Sequence, residues 1–368
     1  MAIASQDIHV LHVTPWFPGK ENPSEALFIA RHIQSLEPFC TQTVLHISLS
    51  MEKRKSSRVE TPGYVLIERY VPFNSWRLYE WIFYRILQKE LKKWNARTTF
   101  THVNFHIAYP AMVYYQKLRN WLPKHKLITE HWSAYHFNFS AKKKPERLRK
   151  IFSYGVPVLA VSNSLANDIK TFSGVNPKID VLPNVVDISN FKFHNQEIAD
   201  HYFAVALWKY PKRPLEILEM VLQRKKIGKP IKLRMAGYGH YEKQIIHFID
   251  QNGLTKEVSW MGQLNPQQIA NELNVAKALL LATGYETFST IIAEAFCCGC
   301  PVVANNVGAI KDHLTPLTGV AVEEDWMSAM NQFENRSFDR AAIAQAAQYK
   351  FNMTFIGTEY FKLLSKQV

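Results

Sequence analysis

The sequence predicts an α/β chain built from two doubly wound parallel sheets. Three observations carry this. Short runs that are apolar on both faces and rich in β-branched and aromatic residues recur along the chain, the composition of buried parallel strands. Helix-like segments lie between many of them, as right-handed crossovers require. The series restarts near residue 200, after a polar, irregular connector at 184–201.

In the first half the predicted strands are 9–13, 43–48, 65–70, 102–107, 126–130, 156–162 and 178–182. In the second half they are 202–207, 231–236, 258–261, 278–282, 301–304 and 319–322. Helical spacing appears at 27–36, 111–121, 214–225 and 241–251, and the terminal stretch 338–364 reads as helix. Open parallel sheets bind ligands beyond the carboxyl ends of their strands. Two such sheets facing each other would leave a cleft for a ligand. Solenoid-period repeats and low-complexity segments are absent from the sequence.

The chain has 368 residues, 47% hydrophobic and 20% charged, which excludes global disorder. Lys plus Arg is 44 against 31 for Asp plus Glu, a formal charge of +13. That excess favours anionic partners: phosphorylated small molecules, nucleic acid or an acidic membrane surface. Cys297, Cys298 and Cys300 crowd together and Cys40 is remote; they read as chance neighbours in a reducing compartment rather than as a zinc site. The start of the chain lacks a basic region followed by an apolar stretch, and no apolar run is long enough to span a bilayer. A cytoplasmic protein is expected, either free or peripheral on the inner face of a membrane.

The segment 278–304 carries most of the chemistry. A strand ends near Ala282, Thr283-Gly284-Tyr285 turns, and a helix starts near Thr287 or Ser289. Its apolar face is Phe288, Ile291, Ile292, Ala295 and Phe296, and Gly299 and Pro301 stop it. A helix N-terminus presents unbonded N–H groups and a positive dipole end, a ready site for a diphosphate. Glu286 lies just before this helix and Glu294 eight residues on. Glu294 could accept hydrogen bonds from a ribose diol, and Glu286 could hold a sugar hydroxyl or a developing positive charge. Alternatively, Glu286 is a first-turn dipole partner and Glu294 a solvated helix residue.

Glu286-Thr287-Phe288, Glu294-Ala295, Gly299 and Pro301-Val302-Val303 resemble the signature of retaining glycosyltransferases of family 4. Pro183-Asn184-Val185-Val186-Asp187 resembles that family's turn before the interdomain linker, and Val258 through Gly262 its strand near the donor base. Val161-Ser162, Trp16-Phe17-Pro18 and Gly308-Ala309-Ile310 also match. The resemblance implies the GT-B fold, two Rossmann-like domains around a cleft. Residues 1–185 would form an acceptor-binding domain and 186–345 a donor-binding domain, with a linker at about 186–200. Residues 346–368 would be a C-terminal helix crossing back to the first domain.

The resemblance also implies roles. Glu286 would contact the transferred sugar and Glu294 the ribose. Backbone N–H groups at Phe288, Ser289 and Thr290 would hold the diphosphate, and Gly262 would lie near the base. The family's Gly-Arg and Lys-Gly pairs after the first strand of the second domain become Ala206-Leu207 and Arg213-Pro214 here. Arg213 would therefore bind phosphate, with Lys209 and Lys212 replacing the missing arginine. His131, just past a strand end, matches the family histidine beside the reacting sugar; Glu130 and His106 are weaker candidates, and His12 reads as core. The donor would be a nucleotide sugar and the acceptor a glycan or lipid-linked molecule; no cofactor or metal is expected, and no nucleic-acid motif appears.

The segment 76–94 is aromatic and basic at helical spacing, and cations at 53–55, 58 and 142–144 add to it. This face either meets an anionic bilayer or lipid-diphosphate acceptor, or hides its aromatics in the core and solvates its cations. Rival functions are a nucleotide-sugar epimerase of the same fold, a basic binding protein without catalysis, and an enzyme disabled by Leu207.

Overall fold

A computed structural model describes residues 8–19, 25–50, 56–72, 76–137 and 146–366. The basic residues at 53–55 and 142–144 and the loop positions 20–24 lie outside the described residues. The chain divides into two compact units, Met1–Val185 with Met353–Val368, and Val186–Asn352.

The first unit runs β1 (His9–Thr14), α1 (Leu27–Ser35), β2 (Thr41–Ser50), β3 (Ser57–Glu60), β4 (Val65–Pro72), α2 (Trp76–Trp94), α3 (Ala96–Thr99), β5 (His102–His106), α4 (Tyr115–Leu118), β6 (His125–Glu130), α5 (Ala134–Phe137), α6 (Glu146–Arg149), β7 (Val158–Ala160), α7 (Asn163–Ser173) and β8 (Ile179–Val181). Its sheet has the order β3-β4-β2-β1-β5-β6-β7-β8, parallel except for β3 against β4. Apolar residues on both faces of β1 explain its central place, in register with β2 and β5. One side of this core joins Ile8, Val10, Leu127, Leu159 and Leu182 to Ile356, Tyr360 and Leu364 of the C-terminal helix Met353–Ser365. Each such buried side chain contributes about 2 kcal/mol of transfer free energy.

The second unit runs β9 (Tyr202–Leu207), α8 (Pro214–Lys226), β10 (Leu233–Tyr238), α9 (Glu242–Gln251), β11 (Val258–Trp260), α10 (Pro266–Val275), β12 (Leu279–Leu281), α11 (Thr290–Cys297), β13 (Val302–Asn305), α12 (Ile310–His313), β14 (Gly319–Val322), α13 (Trp326–Glu334) and α14 (Arg340–Phe351). Its six strands are all parallel, in the order β11-β10-β9-β12-β13-β14. Side-chain caps fix several helix starts: Asn265 and Gln268 form a capping box on α10, and Asp325 and Asp339 cap α13 and α14.

Three elements differ from the sequence expectation. The helix expected at 111–121 is only α4, preceded by tight turns closed by Val113 N to Pro110 O and Tyr115 N to Met112 O. Buried Ala111 and Met112 mimic helical spacing on those turns. The single terminal helix is two, because Asn352 is extended and its side chain caps the last carbonyls of α14 at Gln348 and Tyr349. The edge strand β3 was not anticipated: Ser-Arg-Val-Glu carries no apolar run.

Candidate functional site

All the candidate residues except His131 and the weaker candidates Glu130 and His106 belong to the second unit. Hydrogen bonds stitch the loop after β9 to the loop after β12: Arg213 N donates to Ala282 O (2.9 Å) and Gly284 N to Pro211 O (2.8 Å). An isolated antiparallel bridge pairs Lys212 with Thr283. Asn305, ending β13, accepts from Thr283 N at 2.8 Å. This stitching delivers Lys212 to Glu286. Its ammonium donates to Glu286 Oε1, with the two side chains only 17% and 13% exposed.

The backbone of Glu286 is clamped as well. Its carbonyl accepts from Ala309 N at 2.9 Å, and Gly308 passes so close that a Cβ there would sit 2.3 Å from that oxygen. At φ +51°, position 308 requires glycine on both counts.

α11 starts at Thr290, preceded by Ser289 in the left-handed region (φ 62°, ψ 76°). Its first N–H groups have no partner within the helix, as at any α-helix start. The Ser289 hydroxyl is buried and makes no hydrogen bond. Phe288 anchors this turn: its ring is buried edge-on against His313 and Phe351, and its carbonyl accepts from His313 Nε2 at 2.6 Å. Burial lowers His313 to about 4, so it is neutral at pH 7. Glu294 is half-buried one turn along α11.

The other cations are placed differently. Arg213 is half-exposed, pairs with Glu216 (3.1 Å) and lies over Gly284, where a Cβ would come within 3.1 Å of it. Lys209 is exposed on the turn between Leu207 and Lys212. Lys212, rather than Arg213, is thus the cation on Glu286. Gly262 follows β11 at φ +66°, and its carbonyl accepts from Gly237 N (2.7 Å).

The sequence reading missed a feature here. Gly237 and Gly239 let β10 lie against the chain leaving β9: Cβ atoms there would meet Ala206 O at 2.0 Å and Trp208 O at 2.6 Å. The Gly-x-Gly at a strand end was the available signal. Trp208 is buried and donates from Nε1 to Ala236 O at 2.8 Å, closing the space beneath the loop.

In the first unit, His131 follows β6 and is buried against Phe28 (ring centroids 4.7 Å), His32 (5.4 Å) and His106 (6.1 Å). Neither of its ring nitrogens has a hydrogen-bond partner of good geometry, and Asn184 Oδ1 is similarly unsatisfied. Burial, then repulsion from His32, holds His131 well below the usual histidine range, with Asn184 opposing. It is neutral at pH 7, one nitrogen a donor and the other an acceptor.

Glu130 beside it accepts from Ala108 N (2.6 Å), the Tyr135 hydroxyl (2.7 Å), His131 N (3.2 Å) and Trp132 N (3.4 Å). Burial raises it to about 7 against those four bonds. This carboxyl ties the loop after β5 to the loop after β6. His12 and His106 are buried, 3.0 Å apart between Nδ1 and Nε2, and His12 Nε2 meets Gln42 Oε1 at 3.0 Å. If His12 donates to Gln42, it must accept from His106, and both rings are neutral. His12 is therefore core, as the sequence suggested, and His106 joins it there.

The cysteines at 297, 298 and 300 are free and buried; burial raises Cys297 to about 12 and Cys300 to about 11, so neither is a thiolate at pH 7. Among the described residues, no group of three or more His, Cys, Asp or Glu could hold a metal ion. No helix of the described residues is long and apolar enough to cross a membrane.

Two family models match the chain: Glycosyltransferase Family 4 over residues 40–190 and Glycosyl transferases group 1 over residues 190–350. An MMP alpha-(1->4)-mannosyltransferase of Mycolicibacterium hassiacum is 25% identical over 160 residues, 43% of this chain and 39% of that protein. The chain therefore spans about two-fifths of the length of that relative. Sucrose-phosphate synthase from Thermosynechococcus elongatus superposes with a TM-score of 0.75 at 14% identity, covering 98% of both chains. Anabaena HepE, solved in complex with UDP, superposes with a TM-score of 0.71 at 14% identity, covering 98% of this chain and 100% of that one. With two parallel-sheet α/β units and both family models on consecutive halves, the chain belongs to glycosyltransferase family 4 and has the GT-B fold.

Proposed function

We propose that the protein is a retaining glycosyltransferase that moves a sugar from a nucleotide-sugar donor to a glycan or lipid-linked acceptor, in cell-surface polysaccharide or glycolipid synthesis. The observation that carries this reading is the Lys212–Glu286 pair beside the start of α11. An acid, a cation and a row of helix-start N–H groups converge on one turn. The donor's diphosphate would lie on Phe288, Ser289 and Thr290, with Glu294 on the ribose and Gly262 near the base. Lys212 would add positive charge, and Arg213 and Lys209 would reach the phosphates from the rim.

In this reading catalysis is electrostatic. Fixed donors stabilise the leaving nucleoside diphosphate as charge grows on it, without reorganisation at the moment of reaction. Glu286 orients the sugar and offsets positive charge developing at its anomeric carbon; it is not assigned as a covalent nucleophile. The acceptor hydroxyl would attack from the face the diphosphate leaves, passing its proton to a diphosphate oxygen. Neutral His131, with unsatisfied ring nitrogens, is suited to hold a sugar hydroxyl.

A thermal-shift panel of nucleoside diphosphates and nucleotide sugars tests this. One nucleotide at a hundred times its Kd should stabilise the protein by about 2.7 kcal/mol. A flat panel would remove the nucleotide-sugar reading. HepE was solved with UDP, which makes uridine nucleotides the first to try.

A further inference from the structure

The second helix of the first unit divides its residues by charge as well as by polarity. Tyr79, Phe83, Tyr84, Leu87 and Leu91 are buried beneath it. The opposite stripe is outward: Leu78 is 52% exposed and Trp81 50%, with Ile82 and Ile86 half-buried beside them. Arg85, Lys89, Lys92 and Lys93 complete that stripe, all exposed. The helix has only two acids, Glu80 and Glu90, and both are turned inward and buried. Glu80 pairs with Arg147 at 2.8 Å and Glu90 with Arg69 at 2.8 Å. Every exposed charge of α2 from Leu78 onward is therefore positive.

The stripe is also ordered along the axis. Its N-terminal part is apolar and its C-terminal part cationic, with Arg85 between them, 5.8 Å from the Trp81 ring. At the cationic end Lys92 lies 4.8 Å from the ring of Trp121, which is 40% exposed. From Trp81 to Lys92 the helix rises about 16 Å, so the two tryptophans flank a basic band. Exposed apolar side chains that adjoin one another within a polar rim, as Leu78, Trp81, Ile82 and Ile86 do, mark a surface that is covered in use.

We propose that this face of α2 docks on an anionic phospholipid bilayer, with Leu78, Trp81, Ile82 and Ile86 entering the interface and Arg85, Lys89, Lys92 and Lys93 meeting lipid phosphates. Charge complementarity selects the occupant: a convex helix face with rim tryptophans and no exposed acid fits a negative, laterally continuous surface. The inference stands apart from the transferase reading, since it needs neither donor nor turnover.

The test is sedimentation of the full chain with vesicles of phosphatidylcholine alone and of phosphatidylcholine mixed with phosphatidylglycerol, at low and high salt. The protein should sediment with the mixed vesicles only and be released by salt. Lys89→Gln and Lys92→Gln should each weaken binding about fivefold. Trp81→Ser should weaken it at least as much, with circular dichroism and Tm unchanged because the side chain packs in no core. Equal binding to neutral vesicles, no binding to either, or parental binding by all three variants would overturn the proposal. So would concentration-dependent self-association abolished by Trp81→Ser without vesicle binding, which would give the face to a second copy of the chain.

Discussion

Glu286→Gln preserves the side chain's shape and removes its charge, leaving the Lys212 ammonium without its partner. Breaking a fully buried pair costs about 3–5 kcal/mol, and an exposed pair about 0–1. At 17% and 13% exposure, and with a flexible lysine stem that can turn toward water, the variant should lose about 1–2 kcal/mol of stability. The kinetic effect should be larger. Removing a group that acts on transition-state charge costs about 2.7–4 kcal/mol, or roughly 10²–10³ in kcat. Nucleotide affinity should move the other way. Lys212, no longer held by a carboxylate, becomes available to the diphosphate, so the nucleoside diphosphate should bind as tightly as to the parent or up to about tenfold tighter, a gain of about 1.4 kcal/mol. Lys212→Met should reverse this, weakening nucleotide binding by about tenfold. The assays are diphosphate release in the presence of acceptor and calorimetric titration of the diphosphate. Parental transfer by Glu286→Gln, or loss of its nucleotide binding, would refute the assignment of Glu286 to the sugar and Lys212 to the phosphates.

Two further outcomes follow from the same geometry. Ser289 is a non-glycine residue at φ 62° with a buried, unpaired hydroxyl; Ser289→Gly should raise stability by about 1 kcal/mol, or about 2–4 °C in Tm, while weakening nucleotide binding if that hydroxyl meets phosphate. A fall in Tm would show that the left-handed turn carries no strain. Acid should destabilise the first unit. Burial lowers His12 to about 3, and His32 and His102 to about 4, so the unfolded chain takes up their protons below about pH 6.5 while the native state does not. Their combined contribution is complete above that pH, and about 4 kcal/mol of it is lost by pH 5.5. Glu130, raised to about 7, works in the opposite sense: its contribution is largest in acid and fades as pH rises through 7, returning about 2 kcal/mol at pH 5.5. His106 and His131, also held low by burial, add in the same sense, so the net loss of at least about 2 kcal/mol should appear as a lower urea midpoint at pH 5.5 than at pH 7.5, and a higher midpoint would contradict it.

Much of the fold was legible because buried parallel strands and crossover helices leave distinct periodicities, as β1 and β12 illustrate. What escaped was set by tertiary context. The polar strand β3 exists only because β4 offers it an edge, and Asn352 splits a helix whose apolar spacing continues through it. Within the candidate site, the turn between Tyr285 and α11 was visible from glycine, glutamate and apolar spacing. Which cation meets Glu286 was not. Lys212 and Arg213 are neighbours in sequence, and the bridge from Lys212 to Thr283 sends their side chains to different carboxylates. The packing of His12, His32, His106 and His131 was equally hidden, since they come from separate elements.

The helix Met353–Ser365 bears on the order of events during synthesis. Tyr360 is fully enclosed, its hydroxyl bonded to Asn104, and Gly357 lies so close to Ser35 that a Cβ would fall 2.0 Å from its carbonyl oxygen. A ribosome that has delivered residues up to 185 has thus made a half whose interior still lacks a wall. The later half, contiguous from 186 to 352, has no such debt and can consolidate first. Until the last helix emerges, Ile8, Leu36, Leu127 and Leu159 face an unfilled seam, which makes the nascent N-terminal half the part most in need of a chaperone.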